Sequence, residues 1–262
     1  MRTDIENTLG IHDFKVMGSL PDRPNIFLDF RPRETQPAAL NWLIDDIRTN
    51  GLNTPKTLIY CPSITKVSKL HEWIMGSLGE KAWCDPKRRS FETRLVAQFH
   101  KSVGAEMEEL VLTYFTKKEC NIRVLVCTVA FGMGVNIPDI AMVVHWGLSE
   151  SLQNYWQEVG RCARGTDQTG KAILFPIRLE SNDRVFLEMV KGWKTEPKCM
   201  RYDILSKYKM EGIDTSNLDS LKNRQPCNDN CIECNCHLCR CCTFCKVTCQ
   251  CNIELSIRNI FV

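Results

Sequence analysis

Residues Gln157 to Gly165 read Gln-Glu-Val-Gly-Arg-Cys-Ala-Arg-Gly. Continued as a helix at about 100° per residue, this stretch puts Gln157, Arg161 and Arg164 on one face. Leu152, Tyr155, Trp156, Val159 and Ala163 fall on the opposite face, an apolar stripe wide enough to anchor a helix to a core. A guanidinium donates through a planar fork, so two arginines held outward at fixed spacing suit the grip of a polyphosphate. The same pattern also describes a solvated helix face with two ordinary arginines, and the stretch alone leaves both readings open.

The elements around it must do the positioning. Arg123 to Cys127 is short, apolar and β-branched, as a buried strand should be, and it runs into Thr128-Val129-Ala130-Phe131-Gly132-Met133-Gly134-Val135-Asn136. Glycines after a strand permit a tight turn and a close backbone approach to a ligand, although a lone Gly-x-Gly is more often only a turn. Ala141 to His145 and Lys171 to Phe175 read as two further strands, with the arginine helix between them. Helical periodicity recurs at Gln36–Arg48, Thr65–Leu78, Ala105–Phe115 and Asp183–Trp193, alternating with strand candidates. That alternation predicts a three-layer α/β fold with a parallel sheet, whose ligands gather at the carboxyl ends of strands.

A second chemistry is concentrated near the C-terminal end. Of 16 cysteines, ten fall between Cys227 and Cys251. Thiolates at Cys-x-x-Cys spacing suit tetrahedral zinc. The Cys-x-Cys and Cys-Cys pairs from Cys236 to Cys251 look metallothionein-like, and His237 could add a nitrogen, which leaves a second metal site open. Cys61, Cys84, Cys120 and Cys127 read as small apolar residues of the main domain. No apolar leader precedes them, since Met1 to Gly10 holds two acids, so disulfides are the weaker reading and an intracellular protein is expected.

Taken together, these segments resemble RecQ-type DNA helicases. Thr128 to Asn136, then Val143-Val144-His145, then Gln157 to Arg164 are similar to motifs V and VI of that family. Thr57-Leu58-Ile59-Tyr60-Cys61-Pro62-Ser63, a strand ending in a helix-capping serine, matches motif IV. Asp22-Arg23-Pro24-Asn25-Ile26 resembles the opening of the family's second motor lobe. Cys199-Met200-Arg201 with Cys227, Cys231 and Cys234 resembles its zinc subdomain. The likeness covers most of residues 10 to 234, in order.

The resemblance implies a RecA-like C-terminal lobe of an ATP-driven 3′-to-5′ motor, followed by a small helical, cysteine-rich zinc-binding subdomain. It implies Arg164 as an arginine finger on the ATP phosphates, with Arg161 and Gln157 supporting it. Gly134 and Asp139 would lie beside the nucleotide and ribose. Ser63, His100 and Thr128 would hold the DNA backbone; each also has a plain reading, as a helix cap, a surface histidine and a strand end. Cys199, Cys227, Cys231 and Cys234 would hold zinc, although three residues separate Cys227 from Cys231 where two are more usual, so a later cysteine could substitute for Cys227. Single-stranded or forked DNA is the implied partner, a nucleus the implied location, and DNA repair or recombination the implied process.

Some positions depart from the family. Its Arg-Ala-Gly-Arg-Asp-Gly becomes Arg161-Cys162-Ala163-Arg164-Gly165-Thr166, with the aspartate displaced to Asp167, and Ile137 stands where lysine is common. The sequence holds no Gly-x-x-x-x-Gly-Lys followed by Ser or Thr, and no Asp-Glu-x-His. The first motor lobe, which would bind ATP and Mg, is therefore expected to be absent, and the chain alone is expected not to hydrolyse ATP. A full-length helicase or that first lobe then becomes an expected partner.

Expected divisions are a lead-in at 1–24, the lobe at 25–195, the zinc subdomain at 196–234 and a cysteine-rich tail at 235–262. A net charge of +3 neither demands nor excludes nucleic acid, and 44% apolar residues suffice for a core. The longest apolar stretch, Val124 to Val135, is too short for a bilayer that needs about 20 residues, so no membrane is expected. Two other readings stay open: a non-catalytic module that binds DNA or a helicase, and a metal-binding protein dominated by its cysteine tail.

Overall fold

The apolar runs of the sequence become the centre of a parallel sheet. The structure, a computed structural model, describes residues 7, 8, 10, 17–32, 34–102, 104–117, 119–129, 131, 137, 139–177, 179–223 and 238–249. The strands are β1 (Gly18–Ser19), β2 (Ile26–Phe30), β3 (Thr57–Tyr60), β4 (Val96–Phe99), β5 (Val124–Cys127), β6 (Met142–Trp146), β7 (Gly170–Phe175) and β8 (Ile213–Asp214). The helices are α1 (Asn41–Asn50), α2 (Ile64–Leu78), α3 (Ala105–Phe115), α4 (Leu152–Val159), α5 (Arg184–Thr195), α6 (Met200–Ser206), α7 (Ser216–Lys222) and α8 (Thr243–Thr248). Six strands form the main sheet in the order β2-β7-β6-β3-β5-β4, every pair parallel, while β1 and β8 pair apart from it.

Every residue of β3, β5, β6 and β7 is buried, as a sheet covered on both faces requires. Alternate side chains feed two cores. Leu58, Leu125, Val143 and Leu174 meet α3, α4 and α5 on one face, while Ile59, Val126, Val144 and Ile173 meet α1 and α2 on the other. The three layers expected from the alternation of strands and helices are thus present.

The sheet's β2 edge is covered by the cysteine-rich segment 238–249. Leu28 N donates to Cys241 O at 3.1 Å, and Phe30 N donates to Thr243 Oγ1 at 3.0 Å. Cys241, Cys242 and Cys245 join the same core as Phe30 and Trp193. An exposed strand edge invites association, and this edge is closed by the chain's own backbone.

Candidate functional site

Helix α4 starts at Ser151, whose side chain accepts from Asn154 N at 3.1 Å, and its face of Leu152, Tyr155, Trp156 and Val159 is buried. Each such side chain contributes on the order of 1.5–3 kcal/mol when buried, which fixes the helix on the sheet. Gln157 is exposed on its outer side. The helix ends at Val159, however, so Arg161 and Arg164 lie on a turn beyond it and not on a continued helix face.

The reason for that ending lies far away in sequence. Arg23 Nη1 donates to Gly160 O at 2.8 Å, and Arg23 Nη2 donates to Cys162 O at 2.9 Å and Ala163 O at 2.8 Å. Asn25 Nδ2 adds bonds to Ala163 O at 3.0 Å and Gln168 O at 2.8 Å. These donors take the carbonyls that a longer helix would have used. Ala163 N donates to Ile140 O at 2.7 Å, Cys162 is wholly buried, and a β-carbon at Gly170 would strike Cys162 Sγ. Ala163 is held at φ +50°, in the left-handed region where the resemblance leads one to expect glycine.

Arg164 emerges exposed from this turn, its Nε donating to Gly160 O at 3.0 Å. Partial burial lowers its pKa from the ordinary value, and the like charges of Arg161 and Arg23 lower it further. Three guanidiniums thus share one neighbourhood, which favours an incoming anion. Arg161 and Arg164 also lie within electrostatic reach of Tyr60, at the end of β3.

Ser63, His100 and Thr128 follow the carboxyl ends of β3, β4 and β5, adjacent strands in register at Tyr60, Cys127 and Phe99. The topology therefore brings these three residues to one edge. Ser63 caps α2, accepting from Lys66 N at 3.4 Å. His100 Nδ1 accepts from Ser102 N at 3.2 Å, and its buried Nε2 has no partner among the described residues. Thr128 N donates to Phe99 O at 3.3 Å.

Asp139 is held by an ion pair. Its carboxylate pairs with the buried Lys56 Nζ at 2.8 Å, and Lys56 also donates to Phe115 O and Lys117 O, each at 3.2 Å. Gly134 lies outside the described residues.

Sequence reasoning missed the buried group behind α4. His145 Nε2 lies 2.9 Å from Glu158 Oε2, to which Ser149 Oγ donates at 2.6 Å. All three line a cleft of about 640 Å³ with Tyr60, Pro62 and Gly147 beyond the ends of β3 and β6. Burial of a histidine and a glutamate thirteen residues apart was the available signal, since neither polar residue is expected in a core without its partner.

Among the described residues, four cysteines converge. Sulfurs of Cys199, Cys241, Cys242 and Cys245 lie within 4.8 Å of one another, and Cys199 Sγ and Cys241 Sγ are 3.7 Å apart. Four thiolates about 2.3 Å from a tetrahedral zinc would be separated by about 3.8 Å, so this donor set fits that ion. The positive charge of Arg201 beside the Cys241 sulfur favours its thiolate, the form a ligand takes. Cys199 is common to the expected and observed sets. Cys227, Cys231 and Cys234 lie outside the described residues.

The family described as helicase conserved C-terminal domain matches residues 38–166, spanning α1 through the arginine turn. The chain is similar to mouse bifunctional 3′-5′ exonuclease/ATP-dependent helicase WRN, at 26% identity over 88% of this chain and 16% of that protein. It is 33% identical to Arabidopsis thaliana ATP-dependent DNA helicase Q-like 2 over 55% of this chain and 18% of that one. Rat ATP-dependent DNA helicase Q1 is 28% identical over 81% of this chain and 32% of the relative. The chain spans under a third of the length of each.

Proposed function

We propose that this chain is the second motor lobe of a 3′-to-5′ DNA helicase of the RecQ type, a reading supported by the helicase conserved C-terminal domain matched at residues 38–166 and by the DNA helicases among its relatives. In this reading it supplies the arginine side of a nucleotide site whose phosphate-cradling side is not in this sequence. The observation that carries the proposal is the exposed Arg164, flanked by Arg161 and Arg23 on a turn clamped at its carbonyls. A guanidinium fixed in this way stabilises charge that develops on a transferred phosphoryl group without reorganising at the moment of reaction. Gln157 and Arg161 support that contact. In this reading Asp139, held by Lys56, and Gly134 lie beside the nucleotide.

Ser63, His100 and Thr128, aligned on one sheet edge, take the phosphate backbone of single-stranded or forked DNA, contacts that fix register and not sequence. Zinc, when bound to Cys199, Cys241, Cys242 and Cys245, supplies folding free energy to the segment that covers β2. A nuclear role in repair or recombination belongs to the same reading.

A second reading is favoured by one observation: Ser63, His100 and Thr128 gather at one sheet edge, a placement that binding uses and hydrolysis does not require. The chain would then be a non-catalytic module that binds DNA or a helicase. The test joins this chain behind the phosphate-loop lobe of a RecQ-type relative and measures DNA-stimulated ATP hydrolysis. Arg164→Ala should lower the rate by about a thousandfold or more, with DNA affinity little changed. Hydrolysis that survives Arg164→Ala removes the arginine-finger assignment. A fusion that binds DNA and never hydrolyses ATP leaves the binding module as the better account.

A further inference from the structure

Between the cysteine cluster and the arginine turn runs a short path that starts on helix α6 and passes through two arginines. Cys199, one of the four clustered cysteines, caps α6, and Arg201 follows it by two residues on that helix with only 2% of its side chain exposed. The cluster side of Arg201 is therefore the short covalent span to Cys199, whose Sγ lies 3.7 Å from Cys241 Sγ. On the other side, Arg201 Nη1 donates to Asp22 Oδ1 at 2.6 Å and Arg23 O at 2.8 Å, and its Nη2 donates to Ile26 O. Asp22 Oδ1 in turn accepts from Arg23 N at 2.7 Å. The Arg23 side chain then holds the carbonyls of Gly160, Cys162 and Ala163, within the turn that presents Arg164.

The Arg201 donors are committed to the 22–26 segment, so Arg201 cannot shift with Cys199 and α6 without disturbing Asp22 and the Arg23 backbone. Arg23 cannot shift without releasing the carbonyls that end α4. The turn is also tied by Asn25 Nδ2 to Ala163 O, by Ala163 N to Ile140 O and by the buried Cys162, but Ala163 occupies a left-handed conformation that a non-glycine residue leaves when the Arg23 clamp is released. A buried, multiply bonded guanidinium network of this kind transmits displacement, because its alternatives leave charged donors unsatisfied.

We propose that Arg201 is a positioning residue for Arg164, and that Arg201 and Arg23 form a relay by which the metal state of the cysteine cluster sets the conformation of the arginine turn. The functional meaning of the relay rests on the motor-lobe reading above; its physical existence does not. Cluster and turn are thereby one mechanical unit, and loss of the metal disarms the turn while the parallel sheet stays folded.

The experiment is hydrogen exchange on the whole chain, loaded with zinc alone and then stripped with a chelator under thiol-reducing, oxygen-free conditions. Amides of residues 160–165 should exchange about tenfold faster after stripping, while those of β5 keep their protection. Arg201→Gln, still holding zinc, should give the same acceleration, and stripping that variant should add nothing, since two breaks in one path are not additive. Arg201→Lys keeps the charge but not the fork, and should fall between. Asp22→Ala offers the same break at the edge of the path should Arg201→Gln not fold. Unchanged exchange at 160–165 on stripping, or effects of stripping and Arg201→Gln that add, would overturn the relay. Neither result depends on nucleotide, so the relay can fail while the ATPase test succeeds, and the reverse.

Discussion

At the scale of single residues, the arginine turn carries a backbone cost. Ala163 stands at φ +50°, where a β-carbon meets the following carbonyl and costs about 1–2 kcal/mol. Glycine would remove that cost and lose about 0.5–1 kcal/mol to the greater freedom of its unfolded chain. The balance predicts that Ala163→Gly stabilises the protein by about 0.5–1 kcal/mol, read as a higher urea midpoint at unchanged slope. A lower midpoint would mean that the Ala163 methyl, 2% exposed, packs well enough to outweigh the backbone. The neighbouring Cys162 has no such freedom, since its sulfur fills the space over Gly170 and donates to Ala141 O at 3.1 Å. Burial raises its thiol pKa to about 12, so it stays protonated and serves as a small apolar group.

Among elements, what could be read in advance were those whose cause is local. The residues of β3, β5, β6 and β7 are buried on both faces, and their apolar runs announce it. Helix α2 was legible at both ends, from its Ser63 cap to its close before Gly79. The end of α4 was not, because the groups that stop it, Arg23 and Asn25, lie more than 130 residues earlier. The meeting of Cys199 with Cys241, Cys242 and Cys245 was not legible for a related reason: it depends on the docking of segment 238–249 against β2, a contact more than 200 residues apart in sequence.

Helix α2 also carries a prediction. Burial, and then the charge of Arg94, hold its His71 at a pKa of about 4 against an ordinary 6.5. Between those values the unfolded chain takes up a proton that the folded chain refuses, so stability falls as pH drops from about 6.5 to 4. The loss attributable to this residue should reach about 2–3 kcal/mol, reduced from the full linkage value because the ring is partly exposed. His71→Gln should flatten the stability profile in that window by this difference. Parallel profiles for the two proteins would show that His71 titrates alike folded and unfolded.

For the molecule as a whole, the decisive feature is how the six-stranded sheet closes its β2 edge. Leu28 N and Phe30 N are buried donors whose acceptors, Cys241 O and Thr243 Oγ1, come from the cysteine-rich segment. Phe30 also packs against Phe244 with ring centroids 5.8 Å apart. A chain ended at residue 237 strands both donors, at about 1–3 kcal/mol each, and bares an apolar strand edge. Such a chain should melt several degrees lower and self-associate in light scattering, a strand of one copy replacing the lost segment. Cys199→Ser provides the control, because it weakens the metal cluster but leaves segment 238–249 in the chain. If that variant stays monomeric while the shortened chain associates, edge closure belongs to the backbone and the metal only secures it. If both associate alike, the metal is what holds the segment on the sheet, and the cluster governs solubility and the arginine turn together. A shortened chain that is monomeric and equally stable would show that the segment contributes nothing to closing the sheet.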